Sequence, residues 1–329
     1  MKRIYVFALI IAITASLSSC FRIKKSAEIS IGGASEILFV TQNAAQWNGE
    51  IGDTVRHYFE QQMIGFIQPE KEFKVVNIFK SEFDDMFEKY RNIVVCEIVP
   101  NLEKSTVDIK HNWKSTPQYV VTIKAATPEK WIKVFDSQKE DAKKAFRHNE
   151  RQRIIDFYIT KSDAKAITKF KNKFNFSLTI PEYYLIAVRE DDFMWIRKEE
   201  VDKSYGLIIY QVPYVDADDL SPEKIIARTD SVTKKYIPGP AKGSYMALET
   251  EFLAPVFQEI SDFPAGPAIE MRAQWKTEGD FMGGPCVSYT LVNPNTNKIV
   301  CVEGFVYYPN KAKRDMLRQL EAILWTLQF

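Results

Sequence analysis

Residues 286–308 read CVSYTLVNPNTNKIVCVEGFVYY, and this stretch decides the fold class. Two apolar runs, Cys286 to Val292 and Lys298 to Tyr308, flank the turn formers Asn293-Pro294-Asn295-Thr296-Asn297. Such a cluster between two strand-like runs predicts an antiparallel hairpin. In that register Cys286 faces a residue near 304, and Cys301 faces one near 290. The two sulfurs then stand several residues apart along the ladder, at about 3.4 Å per residue. That is too far for a disulfide. Both thiols, like Cys96, are expected to be buried and free.

Working outward, Glu270 to Trp275 reads as a further strand, and Pro309-Asn310 opens a last helix striped by Leu317, Leu320, Leu324 and Leu327. Upstream, Phe176 to Ile180, Tyr184 to Val188, Phe193 to Arg197 and Gly206 to Val212 read as short strands. Ser221-Pro222 then caps a helix with Ile225, Thr229, Val232 and Tyr236 facing inward. The first half alternates strands (Glu36 to Val40, Phe73 to Phe79, Asn92 to Val99, Tyr119 to Lys124) with helical patterns. One helix carries Val55, Tyr58, Phe59 and Met63 on a single face. Another starts at Thr127-Pro128 and ends in the charged run Arg147 to Arg153, read as a solvated face. A lysine-rich helix over Asp163 to Lys173 marks a boundary. Strands in runs, with helices between and after them, predict an α+β fold of mostly antiparallel sheets flanked by helices. The division is an N-terminal domain over 36–163 and a C-terminal domain over 164–329.

Ahead of both lies MKRIYVFALIIAITASLSSC. Lys2 and Arg3 precede an apolar run from Ile4 to Leu17, which is signal-peptide anatomy. The run is too short to cross the ~30 Å of membrane hydrocarbon. Its L-S-S-C ending resembles a bacterial lipobox. Residues 1–19 are therefore expected to be a lipoprotein signal peptide, Cys20 the lipidated residue, and 20–35 a tether that is flexible over Ser26 to Ser35. Two or more acyl chains, palmitate among them, hold a protein stably on a bilayer. Phe21 follows the cysteine, so outer-membrane anchoring with the body in the periplasm is the expectation. The implied partners are membrane lipid through Cys20 and an envelope protein or glycan.

Composition is that of ordinary globular material: 46% hydrophobic, 26% charged, net charge +1, with no basic stripe to hold nucleic acid. The three histidines, His57, His111 and His148, have no second ligand at metal spacing, so neither metal nor other cofactor is expected. Asp53 and His57 read as a surface ion pair. No G-x-S-x-G elbow exists, and Gly239 to Ser244 is not a phosphate-binding loop. Asp84-Asp85, Asp191-Asp192 and Asp218-Asp219 are neighbours whose side chains point apart. These readings favour a binding or envelope-assembly component over an enzyme. The alternative is a carboxylate-dependent cell-envelope hydrolase, which needs two distant carboxylates brought to roughly 5–10 Å across a cleft.

Two glycine/proline loops, residues 237–246 and 279–285, stand out, because glycine permits close backbone approach and loops carry function. With the strand between them they give one candidate binding surface: Tyr245, Arg272, Trp275 and Met282. Asp53-Thr54-Val55 and Asp230-Ser231-Val232 resemble the D-[ST]-apolar acceptor of O-glycosylation in Bacteroidota. A glycan must face solvent, so Ser231, beside the buried stripe with Asp230, is the expected acceptor ahead of Thr54.

Several phrases together carry a family resemblance: Gly33-Ala34-Ser35-Glu36-Ile37-Leu38, Glu150-Arg151-Gln152-Arg153, Pro238-Gly239-Pro240, Met282-Gly283-Gly284-Pro285 and Gly304-Phe305-Val306-Tyr307-Tyr308-Pro309. They resemble a Bacteroidota lipoprotein family classed as domain of unknown function 4837, over essentially the whole mature chain. The resemblance implies lipoprotein status and brings no catalytic residues. In element order the C-terminal half is also similar to PsbP/Mog1-like α/β/α sandwiches.

Overall fold

The computed structural model describes residues 28–162 and 164–329. The expected signal peptide and Cys20 lie outside them. The fold is α+β, built on two sheets.

The first sheet is set by apolar runs that bury both faces. In chain order come β1 (Glu36–Thr41), α1 (Ala44–Asn48), α2 (Glu50–Phe59), β2 (Lys74–Phe79), β3 (Asn92–Ile98), β4 (Thr106–His111) and β5 (Tyr119–Ala125). Their spatial order is β2-β1-β3-β5-β4. Only β4 runs antiparallel; β1 pairs in parallel with β2 and β3, and β3 with β5. The antiparallel expectation therefore fails for this sheet. The reason is legible in Ile37, Leu38, Phe39 and Val40, all buried without alternation. A strand covered on both faces reads as a continuous apolar run, and such strands pair in parallel through crossovers. One face lies under α2 and the next helix; the other lies under Phe83, Phe87 and Tyr90.

That next helix, α3 (Pro128–Ile159), has 32 residues and so extends about 48 Å. Thr127 caps it by accepting from the Lys130 amide. Trp131, stacked on Phe135 at 5.3 Å, donates from its indole to the Ile123 carbonyl at 3.0 Å. The charged run is not a solvated face. Glu150 is 4% exposed and accepts from Arg91 Nη1 at 2.8 Å, Asn92 Nδ2 at 3.0 Å and the Ser35 amide at 3.0 Å. Three donors on one carboxylate hold α3 to the start of the sheet. Residues 28–35 are likewise not a loose tether. Ile29 bridges Thr116, Ile31 bridges Tyr90, and Ser30 and Ser35 are buried.

The second sheet holds eight antiparallel strands. After α4 (Ala164–Phe174) come β6 (Leu185–Arg189), β7 (Phe193–Glu199), β8 (Ser204–Pro213), α5 (Pro222–Tyr236), β9 (Tyr245–Glu249), β10 (Val256–Ile260), β11 (Ala268–Glu278), β12 (Gly283–Asn293), β13 (Lys298–Tyr307) and α6 (Arg314–Leu324). The order is β10-β11-β12-β13-β8-β7-β6, with β9 also on β11. The hairpin register places Cys286 against Phe305 and Cys301 against Thr290, and both thiols are buried and free. Leu317, Leu320 and Leu324 of α6 seal one face beside Phe170 and Phe174; Ile225 of α5 enters the core on the other. Phe176 to Ile180 is not a ladder strand: Ser177 only bridges Gln328, while Phe176, Leu178 and Ile180 fill the core.

The two sheets meet through α3 and α6. Tyr158 donates to Gln319 Oε1 at 2.9 Å, and Arg151 lies 3.7 Å from Glu321. A second junction forms at Gly65, whose φ of 82° lets the chain turn against β11. A Cβ there would stand 3.1 Å from the Ala273 nitrogen. Glycine is required at that approach.

Candidate functional site

Where the Gly65 turn meets the second sheet, a groove of about 340 Å³ opens. Its N-terminal wall is Phe66, Ile67 and Gln68; its C-terminal wall is the loop carrying Phe281, Met282 and Gly283. Trp275 and Tyr307 lie between them. The alternation of β11 turns Gln274 toward the first half, where its Nε2 donates to the Gly65 carbonyl at 2.6 Å. Trp275 faces the other way and donates from Nε1 to the Val306 carbonyl at 3.1 Å.

The rim is apolar and open to solvent. Phe281 is fully exposed and Ile67 is 61% exposed. Clustered exposed apolar groups of this kind mark interaction sites.

The polar groups are already engaged. Glu249, the one carboxylate lining the groove among the described residues, accepts from the Phe252 and Glu251 amides and lies 3.6 Å from Lys276. Those amides, Phe252 first, hold its pKa below the usual carboxylate value. Lys276 Nζ also sits 2.8 Å from Glu278, a hydrogen bond that raises its pKa. Lys313 donates to Gln68 Oε1 at 3.0 Å, and burial lowers its pKa. A carboxylate held ionised by fixed donors is a poor proton donor. The arrangement can bind an apolar group.

Of the residues read as one surface, Trp275 and Met282 reach the groove and the other two do not. Arg272 stands three residues from Trp275, an odd step on a strand, so it points to the opposite face. There Glu270 grips it at 2.8 and 2.9 Å and Glu321 at 3.1 Å. Tyr245 lies at the far end of β9, opposite Glu278, with Lys234 Nζ 4.7 Å from its ring centre. Sequence reasoning missed Phe66 and Ile67. Their signal was Ile64-Gly65-Phe66-Ile67 before Gln68-Pro69, an apolar run with a glycine and no helical partner.

The other sequence candidates are placed as follows. Ser231 is exposed on α5, and Thr54 is half-buried with its hydroxyl donating to the Glu50 carbonyl at 2.7 Å. Asp230 does not face water as expected: its Oδ1 accepts from the Leu248 amide at 2.7 Å. Asp53 pairs with Arg56 at 2.6 Å rather than with His57. Among the described residues no cluster of histidine, cysteine or carboxylate side chains could hold a metal ion. No helix among them is long and apolar enough to cross a membrane.

Residues 163–326, which supply most of the groove, match the family model of a domain of unknown function, DUF4837. The chain belongs to that family. The DUF4837 match does not extend over the whole mature chain: residues 30–158 match a separate model, DUF8532, also a domain of unknown function. The groove thus has its floor and one wall in the DUF4837 segment and its other wall in the DUF8532 segment. Among solved structures the chain is similar to LpqN of Mycobacterium tuberculosis, described as involved in cell envelope biogenesis. The likeness has 9% identity and a TM-score of 0.27, covering 46% of this chain and 82% of that one. No curated protein matches.

Proposed function

We propose that this DUF4837 protein is a binding component of a bacterial envelope, anchored to the outer membrane through acylated Cys20 with its body in the periplasm. The groove between the two halves takes the partner. The carrying observation is the chemistry of that groove: the exposed Phe281 and Ile67 on its two walls around a single carboxylate already tied by backbone amides. A retaining or inverting glycosidase needs a second carboxylate within about 5–10 Å of the first, and none of the groove's other lining residues supplies one. Apolar contact with fixed polar edges suits recognition of an apolar side chain or acyl segment on an envelope partner.

The test has two arms. Mass spectrometry of the native protein should find an acyl mass on Cys20; its absence removes the anchor. Partners should co-purify from detergent-solubilised membranes with the native protein and be lost from a Phe281→Asp, Ile67→Asp variant of unchanged Tm. An identical partner profile for the two proteins would remove the groove from the reading.

A further inference from the structure

A second crevice lies on the other side of the molecule's chemistry, in the first sheet. β1 sends its C-terminal connection through α1 and α2 to β2 on one side, while β3 beside it sends its own to β4 and β5 on the other. Neighbouring parallel strands whose connections diverge leave a gap outside their carboxyl ends, and open α/β sheets bind ligands at such switch points. Here the gap is a crevice of about 520 Å³. The residues that follow β1 (Gln42, Asn43, Gln46), the end of β3 (Ile98) and the first turns of α2 (Glu50) and α3 (Glu129) line it.

We propose that this crevice is a separate binding site for a neutral, hydroxyl-rich ligand, a small saccharide. The lining chemistry selects that class. No lysine or arginine lines it, so an anion finds no counter-charge. The helix ends that would otherwise attract phosphate are occupied: Glu50 and Glu129 sit in the first turns of α2 and α3, and the Thr127 side chain takes the Lys130 amide. A metal ion is disfavoured by the absence of any metal-holding cluster among the described residues. What remains is a set of amides and carboxylates around an apolar patch.

The amides are pre-organised rather than loose. Gln42 Oε1 accepts from the Ile98 amide at 2.7 Å and from Gln46 Nε2 at 2.8 Å. Gln46 Oε1 in turn accepts from the Gln42 amide at 2.8 Å, and Asn43 Oδ1 from the Gln46 amide at 3.1 Å. Gln46 spends one Nε2 proton on Gln42; the side-chain oxygens of Gln42, Asn43 and Gln46 take the other contacts, which fixes the direction of the N–H donors that remain. A hydroxyl is both donor and acceptor. It can give its proton to Glu50 or Glu129 and accept from an amide, while a sugar's C–H face lies on Ile98.

Heteronuclear NMR of the ¹⁵N-labelled full chain lacking its leader tests this, with maltose, chitobiose, inorganic phosphate and calcium as separate probes. A neutral disaccharide should shift the Gln42 and Gln46 side-chain amides and the Glu129 backbone amide saturably, at about millimolar affinity. Phosphate and calcium should leave them unmoved. Glu50→Gln with Glu129→Gln should weaken the saccharide about tenfold, as expected for losing charge-assisted hydrogen bonds, with the rest of the spectrum unchanged. No saturable shift with either disaccharide, a shift with phosphate or calcium alone, or undiminished binding by the double variant would each overturn the proposal. If the double variant misfolds, Gln46→Leu replaces it, with the same expected loss.

Discussion

The guanidinium of Arg151 lies 3.2 Å from the centre of the Trp325 ring. Arg151 belongs to α3, the helix that covers the first sheet, and Trp325 follows α6 on the second. Desolvated contacts of this kind are worth about 2 kcal/mol. Arg151→Ala should therefore lower the urea-unfolding free energy by roughly that amount, and Arg151→Lys should lose less, keeping charge but not the planar stack. An unchanged midpoint for Arg151→Ala would show that the stacking does not couple the halves.

Acid should attack the same junction at Glu72. Its burial raises the carboxyl's pKa, but hydrogen bonds and charge from Arg147 and Lys143 outweigh that and bring it to about 2. Arg318 Nη2 adds a donor to the Glu72 carbonyl at 2.9 Å. Because the folded value lies below the ordinary 4.5, the pair stabilises fully above that pH. The contribution is lost as pH falls through about 2. Glu72→Gln should flatten the acid limb of a stability–pH curve. It should also cost roughly 3–5 kcal/mol at neutral pH by leaving buried cations unpaired. A variant curve parallel to wild type would refute the assignment.

Glu303 works with the opposite sign. It stands in the middle of β13 beneath α5, fully buried, and neither carboxyl oxygen has a hydrogen-bond partner. Desolvation first, then the charge of Asp230, pushes its pKa to about 8. The folded protein keeps a proton that the unfolded chain gives up above 4.5, so stability is full below that pH. It declines as pH rises through about 8. The loss is on the order of 5 kcal/mol at most. Glu303→Gln, a neutral isostere, should remove the decline; a decline that persists would locate it in another group.

The thiols should be inert while the chain is folded. Burial raises Cys301 to about 11 and Cys96 to about 12, and pushes Cys286 well above its ordinary value. Thiolate is the reactive form. A thiol reagent at pH 8 should label Cys96, Cys286 and Cys301 only in denaturant, in a variant carrying Cys20→Ser. Rapid labelling of the native protein would contradict their burial.

Legibility in the sequence followed local physics. The hairpin of β12 and β13 was readable to its register, because turn chemistry and strand length act between neighbours. β4 was not: Thr106-Val107-Asp108-Ile109-Lys110-His111 is a largely exposed edge strand whose partner, not its own apolarity, makes it a strand. The charged run at Arg147 to Arg153 was misread for a related reason. Glu150 and Arg151 are satisfied by Arg91 and Asn92, 59 and 58 positions from Glu150, and by the still more distant Trp325, and no local pattern announces such partners. Half of the groove was legible through its glycine loop at 279–285. The other half depended on Gly65 meeting Ala273, a contact between segments that only the fold brings together.

The continuity of α3 has a consequence for inheritance. The two family matches end and begin at residues 158 and 163, at the tip of this helix. Among the residues that hold the second half to the first, Arg151 and Tyr158 are on the DUF8532 side, and their partners Trp325, Glu321 and Gln319 are on the DUF4837 side. A chimera that joins these two modules from different relatives must therefore carry matched residues at the seam. One that mismatches them would place a buried guanidinium against the wrong neighbour, so the modules are free to recombine only as co-adapted pairs.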